Sequence, residues 1–260
     1  MAVTTTNTVF CRDIVPLWDG MEFVVDGNSK VTAENGSMLE PKSNAFSLPH
    51  ISTCPGSTEV CRSGCYVHGL QKHAAETYAT YVQNERTLHR VLMSTTAASR
   101  SAKLLSDYIN ANVTSFRWHV SGDVFSIRHA EWISTVCELA PAVNFWIYTR
   151  TFPAIPYLEA RNLAVNISAD SANWHDALTA HEQYGHRICY FTRDGSVPQL
   201  PEESVIFPDY NLRGRDLAEP TDAEWWQGLD IGAKRMVCPA DFFGQSESTR
   251  CGPCKKCLFP

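Results

Sequence analysis

Seven of the ten cysteines fall into two groups near opposite ends of the 260-residue chain. The front cysteines are Cys54, Cys61 and Cys65, and the back cysteines are Cys238, Cys251, Cys254 and Cys257. Closely spaced cysteines in a chain with no sign of an oxidising compartment are more often metal ligands than disulfides. The spacing therefore predicts thiolate-bound metal at both sites.

The back cysteines favour iron and sulfide as the cofactor. They form a CxxCxxC run, Cys251 to Cys257, plus a remote Cys238-Pro239, as in bacterial ferredoxins, although here the Cys-Pro comes before the run rather than after it. Structural zinc more often uses two separate CxxC pairs, so zinc is the alternative at this site. We expect one or two [4Fe–4S] clusters. Two clusters is the simplest division of the seven thiolates, and a single cluster built from both groups stays open.

Other polar side chains around the cysteines are candidates for supporting roles. His68 lies three residues after Cys65 and is a candidate fourth ligand, although a residue that simply begins a helix is the preferred interpretation. Arg62 places a positive charge beside thiolates, which stabilises them. Cys137 and Cys189 lie inside apolar stretches, so we predict that both pack in the core.

Short apolar strands alternate with helical segments through the middle of the chain. Helices are predicted over residues 70–92, 96–111, 128–139 and 172–184, and strands over 46–48, 116–120, 145–148, 163–168, 188–191 and 205–207. Such alternation favours a parallel sheet with crossover helices. No GxGxxG or GxxxxGK[ST] sequence supports a nucleotide site.

The predicted fold is α/β, a partial (β/α) barrel of about six mainly parallel strands, with an open doubly wound sheet as the alternative. An irregular N-terminal arm, residues 1–45, packs on the barrel domain, residues 46–230. A cysteine-rich metal-binding extension, residues 231–260, follows. The front cysteines then lie after the first parallel strand, at the edge where βα proteins build their sites.

Composition narrows the partners. The formal charge is −6, which is opposite to that of a general nucleic-acid coat. No apolar run approaches the ~18 residues of a membrane span, and the first residues lack a secretory signal. We therefore predict a cytoplasmic protein that acts on a substrate or protein the sequence does not identify.

Three strand ends carry a resemblance to the radical S-adenosylmethionine (SAM) superfamily. Ser121-Gly122-Asp123 follows one predicted strand, Tyr148-Thr149-Arg150 ends the next, and Ser168 and Asp170 end the third. Together with a three-cysteine loop after the first strand, this arrangement resembles that superfamily. The resemblance implies a partial barrel, a [4Fe–4S] cluster on the front cysteines and bound SAM. Ser121, Gly122 and Asp123 would bind its amino group, and Ser168 and Asp170 would line the pocket.

The chain as a whole is similar to a family of uncharacterised phage and actinobacterial proteins, the phage gene-product-88 family. The similarity rests on Thr53-Cys54-Pro55-Gly56, Cys61-x3-Cys65-Tyr66, the Ser-Gly-Asp segment, Tyr148-Thr149 and the CGxCxxC run, and it covers roughly residues 45 to 258. It implies phage origin, hence a host cytoplasm, and iron–sulfur character.

Two classes of function follow from these expectations. One is an iron–sulfur enzyme, SAM-dependent or redox. The other is a non-catalytic iron–sulfur or zinc-stabilised protein that binds a host factor. The front spacing differs from the CxxxCxxC that is usual in SAM enzymes, and an open iron would separate the two classes.

Overall fold

One eight-stranded sheet organises the chain. The computed structural model describes residues 12–27, 43–213, 219–244 and 249–258, so Cys11 lies outside the described residues. The strands are β1 (Arg12–Pro16), β2 (Glu22–Asp26), β3 (Ala45–Phe46), β4 (Ser115–Trp118), β5 (Asn144–Thr149), β6 (Leu163–Ala169), β7 (Arg187–Thr192) and β8 (Val205–Pro208). Their spatial order follows the chain from β1 to β8.

The six strands from β3 to β8 are parallel, and β1 and β2 form an antiparallel hairpin added beside β3. This confirms the predicted α/β class and the six mainly parallel strands. A doubly wound sheet reverses its strand order at a switch point, and this sheet does not. The sheet is open, and the curvature of a partial barrel stays a prediction.

Ten α-helices lie within the described residues, besides three short 3-10 helices. They are α1 (Glu59–Ser63), α2 (Val67–His73), α3 (Ala75–Leu92), α4 (Thr95–Asn112), α5 (Ile127–Glu138), α6 (Trp174–Tyr184), α7 (Glu224–Gly228), α8 (Ile231–Met236), α9 (Pro239–Phe242) and α10 (Cys251–Cys254). The long ones begin at side-chain caps where the sequence offers serine, as at Ser94 and Ser126. None in the described ranges is long and apolar enough to cross a membrane.

The main hydrophobic core lies on one face of the sheet, under α3 to α6. Alternate strand residues such as Phe116, Phe145 and Ile167 point into it and are fully buried. Cys137 belongs to this core, as predicted, and accepts a hydrogen bond from the Trp118 indole at 3.3 Å.

The opposite face, here called the inner face, is more polar. It presents Arg117, Tyr148, Asn166 and Cys189 from four successive strands. Residues of the C-terminal segment cover part of it, because Leu258 packs on Trp146 and Ala164. The cysteine-rich extension is therefore in contact with the sheet.

The N-terminal arm is more regular than its composition suggested. Its described residues include the β1–β2 hairpin, and Asn84 of α3 bonds both the N–H and the carbonyl of Val24 at 2.8 Å. At the end of β2, burial raises the pKa of Asp26 to about 7, even though the hydroxyls of Ser47 and Tyr81 donate to its carboxylate.

The raised pKa of Asp26 predicts a pH-dependent loss of stability. Between pH ~4 and ~7 the unfolded chain has released this proton and the folded chain retains it, so stability falls as pH rises and is then constant. Asp26→Asn removes this titration. From pH 5.5 to 8, wild type should lose about 2 kcal/mol of unfolding free energy relative to Asp26→Asn. Urea unfolding of both proteins measures this difference. If wild type and Asp26→Asn differed by the same unfolding free energy at both pH values, the raised pKa of Asp26 would be wrong.

Candidate metal centres

The front cysteines occupy the loop that leaves the carboxyl end of β3. Cys54 lies in the turns after β3, Cys61 lies in α1, and Cys65 separates α1 from α2. The Thr58 hydroxyl caps α1 by accepting a hydrogen bond from the Cys61 N–H at 2.9 Å. All three cysteines are partly buried free thiols.

The three thiols share one electrostatic environment. Burial, and then the charge of Asp123, raises the pKa of Cys54 to about 12. Cys61 and Cys65 also contribute to this rise, so the three sulfur atoms lie within reach of one another's charge. Burial raises the pKa of Cys61 and Cys65 as well. Such thiols hold their protons at neutral pH unless a cation replaces them, as a bound metal does.

The side chains do not converge on a single point. Within the described ranges, no three Cys, His, Asp or Glu side chains lie close enough together to hold one metal ion. A single ion such as zinc would therefore require these side chains to turn toward a common point, whereas each thiolate of a [4Fe–4S] cluster binds a different iron.

A buried ion pair fixes the front loop to the sheet. Arg150, just after β5, places Nη1 2.7 Å from Oδ2 of Asp170, just after β6, and both side chains are almost fully buried. The Thr58 hydroxyl donates to the same carboxylate oxygen at 2.6 Å. Arg150 also donates to the Cys61 thiol, which offsets part of the rise in the pKa of Cys61. Arg62 was predicted to stabilise the thiolates with its positive charge. Its guanidinium instead donates hydrogen bonds to Ser57 at the loop surface.

The Ser121-Gly122-Asp123 segment lies against the same loop. Gly122 adopts φ +84°, and a Cβ there would approach Leu48 Cβ to 2.6 Å and Thr53 Oγ1 to 2.7 Å, so only glycine fits. Asp123 is buried, and its two oxygens accept hydrogen bonds from the N–H groups of Val124 and Arg150 at 2.7 and 2.8 Å. The bond from Arg150 holds this carboxylate at the end of β5.

The two remaining predicted pocket residues differ in position. Asp170 is fully buried in the ion pair and lies beside the front cysteines. Ser168 lies further back on β6, opposite Cys189 of β7 in the parallel ladder. Ser168 therefore belongs to the inner face, beside Cys189.

The back cysteines reach the inner face through two segments. Val237 pairs with Ile206 as an extra parallel bridge beside β8, and the Cys238 N–H donates to the Ile206 carbonyl at 2.9 Å. Cys257 lies over β6, where the Asn166 amide donates to its carbonyl at 3.1 Å. Cys251 and Cys254 begin and end α10, and Cys251 packs near Trp146.

Cys189 lies among the back cysteines. It is buried, as predicted, but on the inner face, where its thiol contacts Asn166 Oδ1 at 3.8 Å. Hydrogen bonds from Cys189 and Tyr148 lower the pKa of Cys257. The proximity of Cys189 to Cys257 could not be predicted from the sequence, because apolar neighbours such as Ile188 and Tyr190 do not show which face of the sheet a strand residue points to.

The family is decided by two comparisons that agree. The sequence profile described as "Gene product 88" matches residues 22–259. The chain belongs to this family. It is also 30% identical over 223 residues to the gene 88 protein of Mycobacterium phage D29, covering 81% of this chain and 88% of that protein.

A second gene product 88 relative gives the same result. The gene 88 protein of Mycobacterium phage L5 is 30% identical over 171 residues, which is 63% of this chain and 68% of that protein. No solved structure matches the chain. The predicted family is thus confirmed, and the names of these relatives state no cofactor or reaction.

Gly56 offers a test of how tightly the front loop of this gene product 88 protein is seated. A Cβ at Gly56 would lie 2.1 Å from the Arg150 carbonyl oxygen and 2.5 Å from its carbon, and backbone cannot move aside cheaply. Gly56→Ala should cost about 1–3 kcal/mol of unfolding free energy, as overpacking does. Urea unfolding measures the loss.

Gly69→Ala is the matched control, because nothing lies within 4 Å of a Cβ at that position in α2. Alanine replaces glycine favourably within a helix, so this variant should be at least as stable as wild type. Equal stabilities of the two variants would show that the front loop is not seated against Arg150.

Proposed function

We propose that this protein binds iron–sulfur clusters, one held by the front cysteines (the front centre) and one by the back cysteines (the back centre). The observation that carries the proposal is the front loop. Three partly buried thiols share one electrostatic environment at the carboxyl edge of the parallel strands, and an internal ion pair and a helix cap hold their loop there. Sites in βα proteins lie at this edge.

The surroundings of the front thiols fit a thiolate-ligated cofactor. Arg150 donates to Cys61 and would stabilise its thiolate, because a nearby cation favours the charged form. Metal binding would release the proton of each thiol ligand, so the affinity of the site should increase with pH. The charge of Arg150 is already balanced by Asp170, so Arg150 is not an unpaired buried charge when metal is absent.

The back centre has a different role in this proposal. Its cysteines lie on segments that reach the inner face from β8 and from the chain's end, and a cluster there would bind these segments together. Metal binding of this kind adds directly to folding stability. The front centre, with its loop at the sheet edge, is the one positioned to meet a substrate or redox partner.

A SAM-dependent reaction is not part of the proposal. SAM enzymes usually carry the spacing CxxxCxxC, whereas the front cysteines are spaced Cys54-x6-Cys61-x3-Cys65. The proposed function is therefore an iron–sulfur redox or binding protein.

Cofactor analysis tests the proposal directly. Protein purified without oxygen should contain iron and acid-labile sulfide and show the broad visible absorption of sulfide-to-iron charge transfer. Iron, sulfide and zinc are measured on the same sample. Colourless protein with stoichiometric zinc and no sulfide would overturn the iron–sulfur assignment and leave zinc as the bound metal.

Single cysteine changes test the ligand sets. Cys54→Ala and Cys61→Ala should each lose the front centre's share of iron and sulfide and lower stability, because ligand loss removes metal-binding energy that supports the fold. Cys137→Ala is the control, since Cys137 is buried under Trp118 in the main core. Loss of iron in Cys137→Ala, or full retention in both front variants, would show that the ligands are assigned wrongly.

A further inference from the structure

A second histidine lies beside the front cysteines. His50 precedes Cys54 by four residues in the same loop and is only 6% exposed. Its ring contacts that of Tyr78, with centroids 5.5 Å apart, and that of His68, with centroids 4.7 Å apart. His68 is held against the front loop, because its backbone N–H donates a hydrogen bond to the Cys65 carbonyl at 3.2 Å. His50 therefore lies four residues from Cys54 in sequence and against a ring that is bonded to Cys65 through its backbone.

In the uncharged form of both rings, hydrogen bonding fixes the tautomers. His68 Nε2 lies 2.8 Å from the Arg62 carbonyl oxygen, which only accepts, so Nε2 carries the proton. His68 Nδ1 then holds a lone pair, and it lies 3.1 Å from His50 Nε2, which must donate. The remaining nitrogen, His50 Nδ1, is left with a lone pair and no proton.

That nitrogen is unsatisfied. His50 Nδ1 is buried and has no hydrogen-bond partner among the described residues. A buried acceptor without a donor is destabilising, so the position needs a partner that the described residues do not supply. A neutral imidazole with one nitrogen free, and the other held by an acceptor, is the arrangement in which histidine binds metal.

We propose that His50, through Nδ1, is the fourth protein ligand of the front centre, with Cys54, Cys61 and Cys65 as the other three. This inference rests on the proposed function. His68 is not the ligand that its position after Cys65 suggested. It is the residue that orients the ligand, because both of its nitrogens are occupied by Arg62 and His50.

The assignment has two chemical consequences. Three thiolates and one imidazole give every iron of a [4Fe–4S] cluster a protein ligand, so no iron is open to SAM. Replacing thiolate by neutral imidazole also removes one negative charge, which raises the reduction potential, as histidine ligation does in Rieske centres. The front centre is then a closed, electron-transferring cluster.

Nitrogen coupling tests ligation in the unaltered protein. Wild type is prepared with ¹⁵N-histidine, the cluster is reduced, and electron–nuclear double resonance is recorded. A ¹⁵N hyperfine coupling of a directly bound nitrogen is expected. It should persist in His73→Ala, a matched control on the exposed end of α2, and disappear in His50→Ala.

Oxidation gives an independent readout. In His50→Ala the fourth iron lacks its protein ligand, so ferricyanide should take one electron to give [4Fe–4S]³⁺, which releases Fe²⁺ and leaves [3Fe–4S]⁺. The paramagnetic resonance signal of that product should be several-fold larger than in wild type or His73→Ala. His50→Cys supplies another fourth ligand and should restore resistance to oxidation.

The outcomes separate the two proposals. Wild type without iron and sulfide overturns the proposed function itself. Wild type with both, but without ¹⁵N coupling, overturns only the role of His50. So does a coupling that survives in His50→Ala. If His50→Ala does not fold, the coupling in wild type and the behaviour of His50→Cys still decide the matter.

Discussion

The buried ion pair between Arg150 and Asp170 is the interaction on which the front site depends. These residues follow adjacent parallel strands, and the Asp170 carboxylate also accepts the hydroxyl hydrogen of Thr58, which caps the helix carrying Cys61. A buried ion pair is tolerated only when further hydrogen bonds complete it, and here they do. Because one carboxylate joins two strand ends and the cysteine loop, the loop cannot shift without removing a hydrogen bond from a buried carboxylate. This rigidity sets where any front cofactor can sit.

The two faces of the sheet have different roles, since one packs the hydrophobic core and the other carries polar side chains. Aromatic and branched residues on one face form the main core under the helices, and polar residues occupy the inner face. Buried polar groups must find partners, and Asn166 shows how: its amide donates to the Ile147 and Cys257 carbonyls, and its oxygen accepts from Cys189. The C-terminal segment is thus positioned by polar contacts as well as by Leu258.

Much of the fold was predictable from local pattern. The helices and the six parallel strands occur close to their predicted positions, because apolar periodicity and the absence of Pro and Gly act within each segment. The N-terminal arm was the exception. Its hairpin is held by contacts with residues far along the chain, such as Asn84, and its short, mixed sequence gives little sign of them.

The candidate site was predictable in its residue types and not in its pairings. The sequence by itself determined which segments become strands, that cysteines cluster at two places, and that polar residues follow three strand ends. Only the tertiary structure decided that Cys137 and Cys189 lie on opposite sides of the sheet, that Arg150 rather than Arg62 contacts Cys61, and that His68 hydrogen-bonds to His50. The physical reason is that strand parity and long-range pairing choose the neighbours of a side chain, and both are set by the packing of distant segments.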